Sequence, residues 1–257
     1  MKKILIAIIS ILLSISALAE TLKVGATPVP HAELLEFIKE DLKNDGVELN
    51  IIEFTDYVTP NLALSDGDLD ANFFQHVPYL TNFSAERKLD LTAAGKVHVE
   101  PLGVYSKRHK SIEDLPQNAT IAIPNDPTNG GRALILLHNI NIIKLKDPTN
   151  LNATELDVAE NLKNYRFRAI EAAQLPRSLE DVDAAVINGN YALDANLNPL
   201  EDSLLIEDED SPYVNVIAVR GGDENNENIQ KLLKALQTDK VKNFIKEKYS
   251  GGVVPAF

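Results

Sequence analysis

LKVGATPVPHAELLEFIKEDLKNDGVELNIIEF, residues 22–54, decides the fold class of this chain. A short apolar run opens the segment, a stretch with apolar residues at positions 34, 35, 38 and 42 follows, and a second apolar run closes it. This spacing predicts a strand, a helix and a strand, with Gly46 ending the helix. The segment is therefore a βαβ unit, the building block of parallel sheets that are covered by helices.

The same alternation continues along the rest of the chain. Further strands are predicted over 68–74 and 96–105, around a helix near 78–88. A second series comprises strand 119–124, helix 128–139, strand 167–172, helix 174–181 and strand 183–189. Two such series predict an α/β protein with two lobes.

Two apolar stretches are predicted to carry the chain between the lobes, VEPLGVYS (99–106) and PYVNVIAVR (212–220). We expect the C-terminal helices, within 226–248, to return to the first lobe. The predicted division is lobe I over 20–103 and 222–257, and lobe II over 104–221. Two polar segments, EDEDS (207–211) and GGDENNEN (221–228), are predicted to be solvated loops or helix caps.

The first 19 residues differ in composition from the rest. Two lysines precede an apolar run over 4–15, and Ala-Leu-Ala at 17–19 matches a cleavage signal. The run is shorter than the roughly 20 residues that a membrane-spanning helix needs. We therefore expect a signal peptide over 1–19, cleavage after Ala19, and export to the periplasm.

Charge and cysteine content narrow the choice of partners. The chain of 257 residues has 25 Lys and Arg against 38 Asp and Glu, a formal net charge of −13, so we expect no nucleic-acid partner. It contains no cysteine, which excludes disulfides, thiolate metal ligands and a nucleophilic thiol. The thiol that anchors a bacterial lipoprotein is missing too, so we expect no lipid anchor.

The stretch PNDPTNGGRAL (124–134) predicts the start of a helix that meets a ligand. Asp126 can cap the helix, and a pair of glycines leaves backbone open to an approaching group. Arg132 lies on the same helical face as Asn129 and carries a permanent, planar positive charge. We expect a carboxylate at this helix start.

Aromatic residues cluster in FFQHVPYL (73–80). Because side chains alternate along a strand, Phe73 is predicted to lie in the core and Phe74 in a pocket. His76 and Tyr79 follow the strand's C-terminal end, where open α/β sheets bind ligands. A simple core position remains the alternative for each of these aromatic residues taken alone.

Three asparagines occur where amides could meet a polar ligand. Asn188 and Asn190 follow an apolar strand, and Asn215 lies inside another. A side-chain amide offers both donors and an acceptor, so these residues suit the ammonium and carboxylate groups of an amino acid. Turn or cap roles, and for Asn215 a bond to a crossing backbone, are the alternatives.

Catalytic signatures are absent from the sequence. It has no G-x-S-x-G, no G-x-x-x-x-G-K-[ST] and no G-x-G-x-x-G after a strand, and its five histidines lack metal-binding spacings. We expect no catalytic residues, no metal and no cofactor. Two alternatives stay open: a periplasmic enzyme with His76 as general base, and a divalent-metal carrier that uses His76 and nearby acids.

Several motifs together resemble the methionine-binding, NlpA-type family of ABC-transporter substrate-binding proteins. They are GATPVPHAELLE (25–36), FTDYVTPN (54–61), DANFFQHVPYL (70–80), EPLGVYS (100–106), IPNDPTNGGRAL (123–134), AAVINGNYAL (184–193) and KEKYSGGVVPAF (246–257). The resemblance implies a two-lobed periplasmic-binding-protein fold of type II with two crossover strands. It also implies a protein that closes over methionine and delivers it to an ABC permease driven by an ATPase subunit. We expect a monomer without enzymatic activity.

The resemblance implies a role for each residue that matches the family pattern. Those implied around the ligand side chain are Tyr57, Phe74, His76 and Tyr79; those implied around its polar groups are Asn129, Arg132, Asn190 and Asn215, with Asn188 as a further candidate. Arg132 is implied to bind the α-carboxylate. L-methionine, D-methionine and a dipeptide such as glycyl-methionine all stay open. Most members resemble lipoproteins with a cysteine after the leader, where this chain has Ala19 and Glu20.

Overall fold

The computed structural model describes residues 20–208 and 211–257, so the predicted signal peptide over 1–19 lies outside the described residues. The strands are β1 Glu20–Ala26, β2 Val47–Glu53, β3 Ala71–His76, β4 Leu91–Val99, β5 Gly103–Tyr105, β6 Thr120–Pro124, β7 Lys144–Leu145, β8 Val158–Glu160, β9 Arg166–Ile170, β10 Ala184–Ile187, β11 Ser203–Ile206, β12 Val214–Arg220 and β13 Val254–Pro255. The α-helices are α1 Glu33–Asn44, α2 Thr59–Asp66, α3 Val77–Arg87, α4 Pro127–Asn139, α5 Leu175–Ser178, α6 Gly189–Asp194, α7 Glu227–Leu236 and α8 Asp239–Tyr249. A π-helical turn, Pro28–Ala32, precedes α1.

Six strands form the first sheet, in the order β13-β4-β12-β3-β1-β2. β1 runs parallel to β2 and β3, whereas β12 is antiparallel to both of its neighbours, β3 and β4. Helices α1, α7 and α8 cover one face, where Leu35, Leu232 and Ile245 are fully buried. Helices α2 and α3 cover the other face with Leu64 and Leu80. The C-terminal helices thus return to the first sheet.

The second sheet has five strands in the order β11-β5-β10-β6-β9. β6 runs parallel to β9 and β10, and β5 is antiparallel to β10. Alternate residues of β10 enter different cores: Ala184 and Val186 pack with α4 on one face, and Ala185 and Ile187 pack with α5 and α6 on the other. This sheet is covered on both faces, as the sequence predicts.

The chain crosses between the two sheets twice, over 100–102 and again between β11 and β12. The first crossing lies inside the predicted stretch 99–106, whereas the second is complete before β12, the strand of the predicted stretch 212–220, begins. We use lobe I for the first sheet with its helices and lobe II for the second. The structure corrects one predicted boundary, because β12, assigned to lobe II by the division at residue 221, lies in the first sheet. It pairs along its length between β3 and β4, and these ladders place it in lobe I.

Two predicted elements differ in extent. The strand predicted over 96–105 is interrupted, because Pro101 has no backbone N–H to continue a ladder; β4 ends before it in lobe I and β5 begins after it in lobe II. The helix predicted over 174–181 is limited to α5, since the Ser178 carbonyl accepts turn bonds from the N–H groups of Asp181 and Val182. Among the described residues, no helix combines the length and apolar character needed to span a bilayer.

The lobe I core offers a direct test of the packing. Leu35 in α1 is fully buried, so Leu35→Ala should lower the free energy of unfolding by about 2–5 kcal/mol through lost burial and a residual cavity. Leu156 is 83% exposed, so Leu156→Ala should change it by less than about 0.5 kcal/mol. Urea unfolding followed by circular dichroism measures both, and equal effects would contradict this core assignment.

Candidate functional site

A cavity lies between the two sheets. The structure brings all eight residues that the sequence predicts as ligand-binding to its wall: Tyr57, Phe74, His76, Tyr79, Asn129, Arg132, Asn190 and Asn215. Four further wall residues are Gln75, Glu100, Asn188 and Gly189. Lobe I and lobe II each contribute, so the cavity is an interlobe site.

An aromatic wall lines the lobe I side of the cavity. The ring centroids of Tyr57, Phe74 and Tyr79 lie 5.8 to 6.1 Å apart. The Tyr79 hydroxyl donates to the Tyr57 carbonyl at 2.8 Å, which holds two of the rings together. Phe74 is 3% exposed and Phe73 lies in the lobe I core, as the alternation along β3 predicts. Such a wall suits an apolar or thioether side chain.

His76 is held neutral at the junction of β3 and α3. Its Nδ1 accepts from the Tyr79 backbone N–H at 3.2 Å, so its proton lies on Nε2, which donates to Asn129 Oδ1 at 3.2 Å. Burial, and then the positive charge of Arg132, lower the pKa of His76 to about 3. The histidine therefore caps α3 and bridges to lobe II as an uncharged group.

Arg132 supplies the positive charge of the cavity. Its Nε donates to Glu207 Oε1 at 3.1 Å, and its Nη2 donates to the Glu100 carbonyl at 2.9 Å and to Glu207 Oε2. The guanidinium lies 4.2 Å from the ring centroid of Tyr213. Its Nη1 has no hydrogen-bond partner within the described residues. The protein thus engages Nε and Nη2 of the guanidinium, and the N–H donors of Nη1 remain for a ligand.

The pairing of Arg132 with Glu207 corrects a prediction. The segment 207–211 was expected to be a solvated loop or cap, but the Glu207 side chain is only 16% exposed and binds the arginine directly. The carboxylate that meets Arg132 in this structure belongs to the same chain, and the predicted ligand carboxylate remains a prediction. Sequence reasoning missed the Glu207 carboxylate because 75 residues separate the pair.

The glycines of α4 have a different role from the predicted one. A Cβ at Gly131 would lie 2.2 Å from the Leu151 carbonyl oxygen, and a Cβ at Gly130 would lie 2.9 Å from the Pro124 carbonyl oxygen. Both glycines therefore permit close packing against the protein's own backbone rather than access for a ligand. The predicted cap is present, since Asp126 accepts from the Asn129 N–H at 2.9 Å.

The amides differ in how much of their hydrogen-bonding capacity the protein uses. Asn129 is fully engaged, because its Nδ2 donates to Asp126 and its Oδ1 accepts from His76 and from Asn188 Nδ2. Asn190 Oδ1 accepts from the Tyr57 hydroxyl across the lobes. Asn188 Oδ1 is buried and has no partner among the described residues. A ligand in the cavity that carries a hydrogen-bond donor could therefore satisfy Asn188 Oδ1.

Glu100 is the chemically important wall residue that the sequence analysis did not single out. It lies in the first crossover and is 5% exposed. Burial raises the pKa of its carboxyl group, and His31, the Asn190 backbone N–H and Arg132 oppose that rise. Its signal in the sequence is an acidic residue inside the mostly apolar run VHVEPLGVY (97–105). The cavity wall thus contains an acidic side chain as well as Arg132.

The chain matches the family model described as NlpA lipoprotein over residues 22–257. The chain belongs to the NlpA lipoprotein family. The two-lobed substrate-binding-protein fold expected from the motifs is confirmed by similarity to solved structures of this kind.

Three relatives show how close the similarity is. The structure of a nutrient-binding protein from Burkholderia cenocepacia bound to methionine is 49% identical, with a TM-score of 0.89 over 92% of this chain and 100% of that one. An ABC transporter, periplasmic substrate-binding protein from Coxiella burnetii is 44% identical, with a TM-score of 0.87 over 91% and 100%. The D-methionine-binding lipoprotein MetQ of Escherichia coli (strain K12) is 43% identical over 91% of this chain and 87% of its own.

The neutral state of His76 predicts how stability depends on pH in this family member. The pKa of His76 is about 3 in the folded protein against 6.5 for a free side chain, so between these values only the unfolded chain is protonated there. Stability is therefore lost as pH falls below about 6.5. His76→Gln should reduce the slope of unfolding free energy against pH by about 1.4 kcal/mol per unit between pH 6 and 4.5. Urea titrations at several pH values measure it, and an unchanged slope would mean that folded His76 takes up the proton.

Proposed function

We propose that this protein is the substrate-binding component of an ABC importer and that it binds methionine in the interlobe cavity. The observation that carries the proposal is the pairing of an aromatic wall from lobe I with a partly satisfied guanidinium from lobe II in one enclosed space. A free amino acid with a flexible thioether side chain has the complementary groups. The methionine bound to the Burkholderia cenocepacia relative supports this choice.

Each group of the ligand has a partner in the proposed complex. The thioether packs against Tyr57, Phe74 and Tyr79. The α-carboxylate accepts from Arg132 Nη1 and from Asn215 Nδ2, which have no partner among the described residues. The ammonium donates to the orphaned Asn188 Oδ1 and interacts with the Glu100 carboxylate.

Asn129, Asn190 and His76 enter this proposal mainly as wall groups that join the lobes. Their hydrogen bonds to one another and to Tyr57 span the boundary between the sheets. Closing the lobes over the ligand would form these bonds, and the importer's permease would recognise the closed, loaded shape.

The closure of the cavity favours a single amino acid over a dipeptide. Residues of both lobes line it, and the Tyr57–Asn190 and His76–Asn129 hydrogen bonds join the lobes. A dipeptide would have to place a second residue inside the same closed wall. L- and D-methionine present the same three groups, so titration with each enantiomer and with glycyl-methionine assigns the specificity.

The environment of His76 gives less support to the two other hypotheses, a periplasmic enzyme with His76 as general base and a divalent-metal carrier. A general base must accept a proton from the substrate, but the Nδ1 lone pair is already engaged by Tyr79 and Nε2 carries the proton. A metal carrier would need carboxylates around His76, whereas its hydrogen-bond partners among the described residues are a backbone N–H and an amide. The binding role therefore remains the proposal.

Substitution of Arg132 tests the ligand assignment. Arg132→Ala should weaken methionine binding by about 10- to 150-fold, because hydrogen bonds to charged groups are worth about 1.5–3 kcal/mol. Isothermal titration calorimetry measures the affinity, and the melting temperature checks folding. Arg132→Lys keeps the charge but loses the planar fork, so it should recover only part of the loss.

Arg168→Ala is the matched control, since Arg168 is exposed on β9 of the same lobe. It should bind methionine like the unchanged protein. Unchanged affinity in a folded Arg132→Ala variant would place the carboxylate elsewhere. No binding of any methionine compound by the unchanged protein would reject the proposed function itself.

We further propose that the mature protein is a monomer that starts at Glu20, is free in the periplasm and carries no acyl chain. The family and its Escherichia coli member are named lipoproteins, whereas this sequence has no cysteine to carry a thioether-linked lipid. Intact-mass spectrometry of the protein from the periplasmic fraction should give the unmodified mass of residues 20–257. Light scattering should give one chain per particle. An added acyl mass, or recovery only with membranes, would contradict this proposal.

A further inference from the structure

A cluster of buried polar side chains lies directly behind the cavity wall in lobe I. Thr27, His31, His98, Glu100 and Asn215, which we call the crossover network, are each between 0 and 5% exposed. Glu100 belongs to the first crossover, and Asn215 lies next to the second, at the start of β12. Only Glu100 and Asn215 reach the cavity. Thr27, His31 and His98 therefore have no assigned role in ligand contact.

The positions of the protons in this network follow from its acceptors. His31 Nε2 lies 3.1 Å from Asn215 Oδ1 and 3.2 Å from Glu100 Oε1. Both are acceptor atoms, so Nε2 carries a proton. Burial lowers the pKa of His31 to about 4, so the ring is neutral and its Nδ1 accepts from the Thr27 hydroxyl at 2.8 Å. Thr27 thus selects the tautomer that donates toward the cavity residues.

Glu100 receives donors from several directions. His98 Nε2 lies 2.7 Å from the same Oε1 atom, so this nitrogen donates as well. The Asn190 backbone N–H also hydrogen-bonds the carboxylate. A Cβ on Gly189 would lie 2.8 Å from Glu100 Cβ, so α6 of lobe II approaches Glu100 as closely as a side chain allows. These donors favour the ionised carboxylate in a site where burial alone disfavours it.

The network also fixes the orientation of Asn215. With Oδ1 accepting from His31, the Nδ2 donors are the part of this amide left for the cavity. Register reinforces the arrangement, because Asn215 is paired with His98 on β4 and with His76 on β3. Two histidines therefore flank the amide in one row across the sheet.

The geometry fits hydrogen bonds better than a metal ion. One ligand atom each from His31, His98 and Glu100 lies within 4.8 Å of the others, which is close enough to consider a cation. Ligand atoms of a tetrahedral zinc site with bonds of 2.0–2.1 Å are about 3.3 Å apart. The separation of 2.7 Å between His98 Nε2 and Glu100 Oε1 is instead that of a charge-assisted hydrogen bond.

We propose that His31 and His98 are positioning residues that keep the Glu100 carboxylate ionised and the Asn215 amide oriented, so that the site selects ligands with a free α-ammonium group. This inference rests on the proposed binding of methionine. Removing one donor leaves the buried carboxylate less satisfied, so it takes up a proton and no longer attracts the ammonium group. The binding of a ligand that lacks this group does not depend on that charge.

The test compares methionine with 4-(methylsulfanyl)butanoate, which has the same side chain and carboxylate but no amino group. Calorimetry on the unchanged protein should show a preference for methionine of at least about tenfold, the size of one charged contact. His98→Leu, which removes the donor, should reduce methionine affinity by about tenfold and change affinity for the analogue by less than about threefold. His98→Gln restores an N–H donor and should recover much of the preference.

Thr27→Val provides a second, nearly isosteric variant that does not alter a ring. It removes the hydroxyl that selects the His31 tautomer, and it should also reduce the preference for methionine over the analogue. His138→Gln is the control. His138 lies at the end of α4, outside the crossover network, and its Nδ1 accepts a hydrogen bond from the Leu145 N–H. Its preference should equal that of the unchanged protein.

The outcomes separate this inference from the proposed function. If the unchanged protein binds methionine and analogue equally, or if folded His98→Leu and Thr27→Val keep the full preference, the positioning role is wrong while methionine binding stands. Equal weakening of both ligands in the variants would show a general structural effect and would also overturn it. Stoichiometric metal found by elemental analysis, lost in His98→Leu, would replace the hydrogen-bond network by a metal site.

Discussion

The pairing of β12 between β3 and β4 is the interaction on which the rest of the structure depends. The sheet of lobe I is incomplete until the chain has built lobe II and returned, since β12 fills the gap between two earlier strands. The two crossovers are a consequence of this insertion. The same ladder aligns Asn215 with His76 and His98, so the closing of the sheet and the assembly of the cavity wall are one event.

Electrostatically, the cavity differs from the surface of the molecule. The chain has a formal net charge of −13, yet the cavity wall carries Arg132, which pairs with Glu207, together with Glu100 and a neutral histidine. A basic and an acidic side chain at separate places in a buried wall match the two charged groups of a zwitterion better than an anion or a cation. This match is the physical basis of the proposed choice of a free amino acid.

The sequence predicts those parts of the fold and site that depend on local periodicity. The βαβ unit at 22–54, the alternation that separates Phe73 from Phe74, and the Asp126 cap need only neighbouring residues, and the structure contains all three. Family resemblance then named eight residues that the structure brings to one cavity.

The parts that local patterns do not predict are contacts between distant segments. In the sequence, Glu207 is one of several acidic residues in a polar stretch, and only the fold shows that it pairs with Arg132. The lobe assignment of β12 depends on which strands it meets, and the role of Gly131 depends on the Leu151 backbone. Glu100 becomes important only because the fold buries it beside two histidines from distant segments, His31 in the turn before α1 and His98 on β4.

The hydrogen bonds that join the lobes have a kinetic consequence. Tyr57 donates to Asn190, and Tyr191 donates to the Thr55 carbonyl at 3.2 Å, so each lobe contributes a hydroxyl to the other. A bound molecule that leaves by opening of the lobes has to wait until these bonds and the His76–Asn129 bond break. Its residence time therefore depends on hydrogen bonds between the lobes, which are the same for every ligand. Ligands then differ in how well each one allows those interlobe bonds to form.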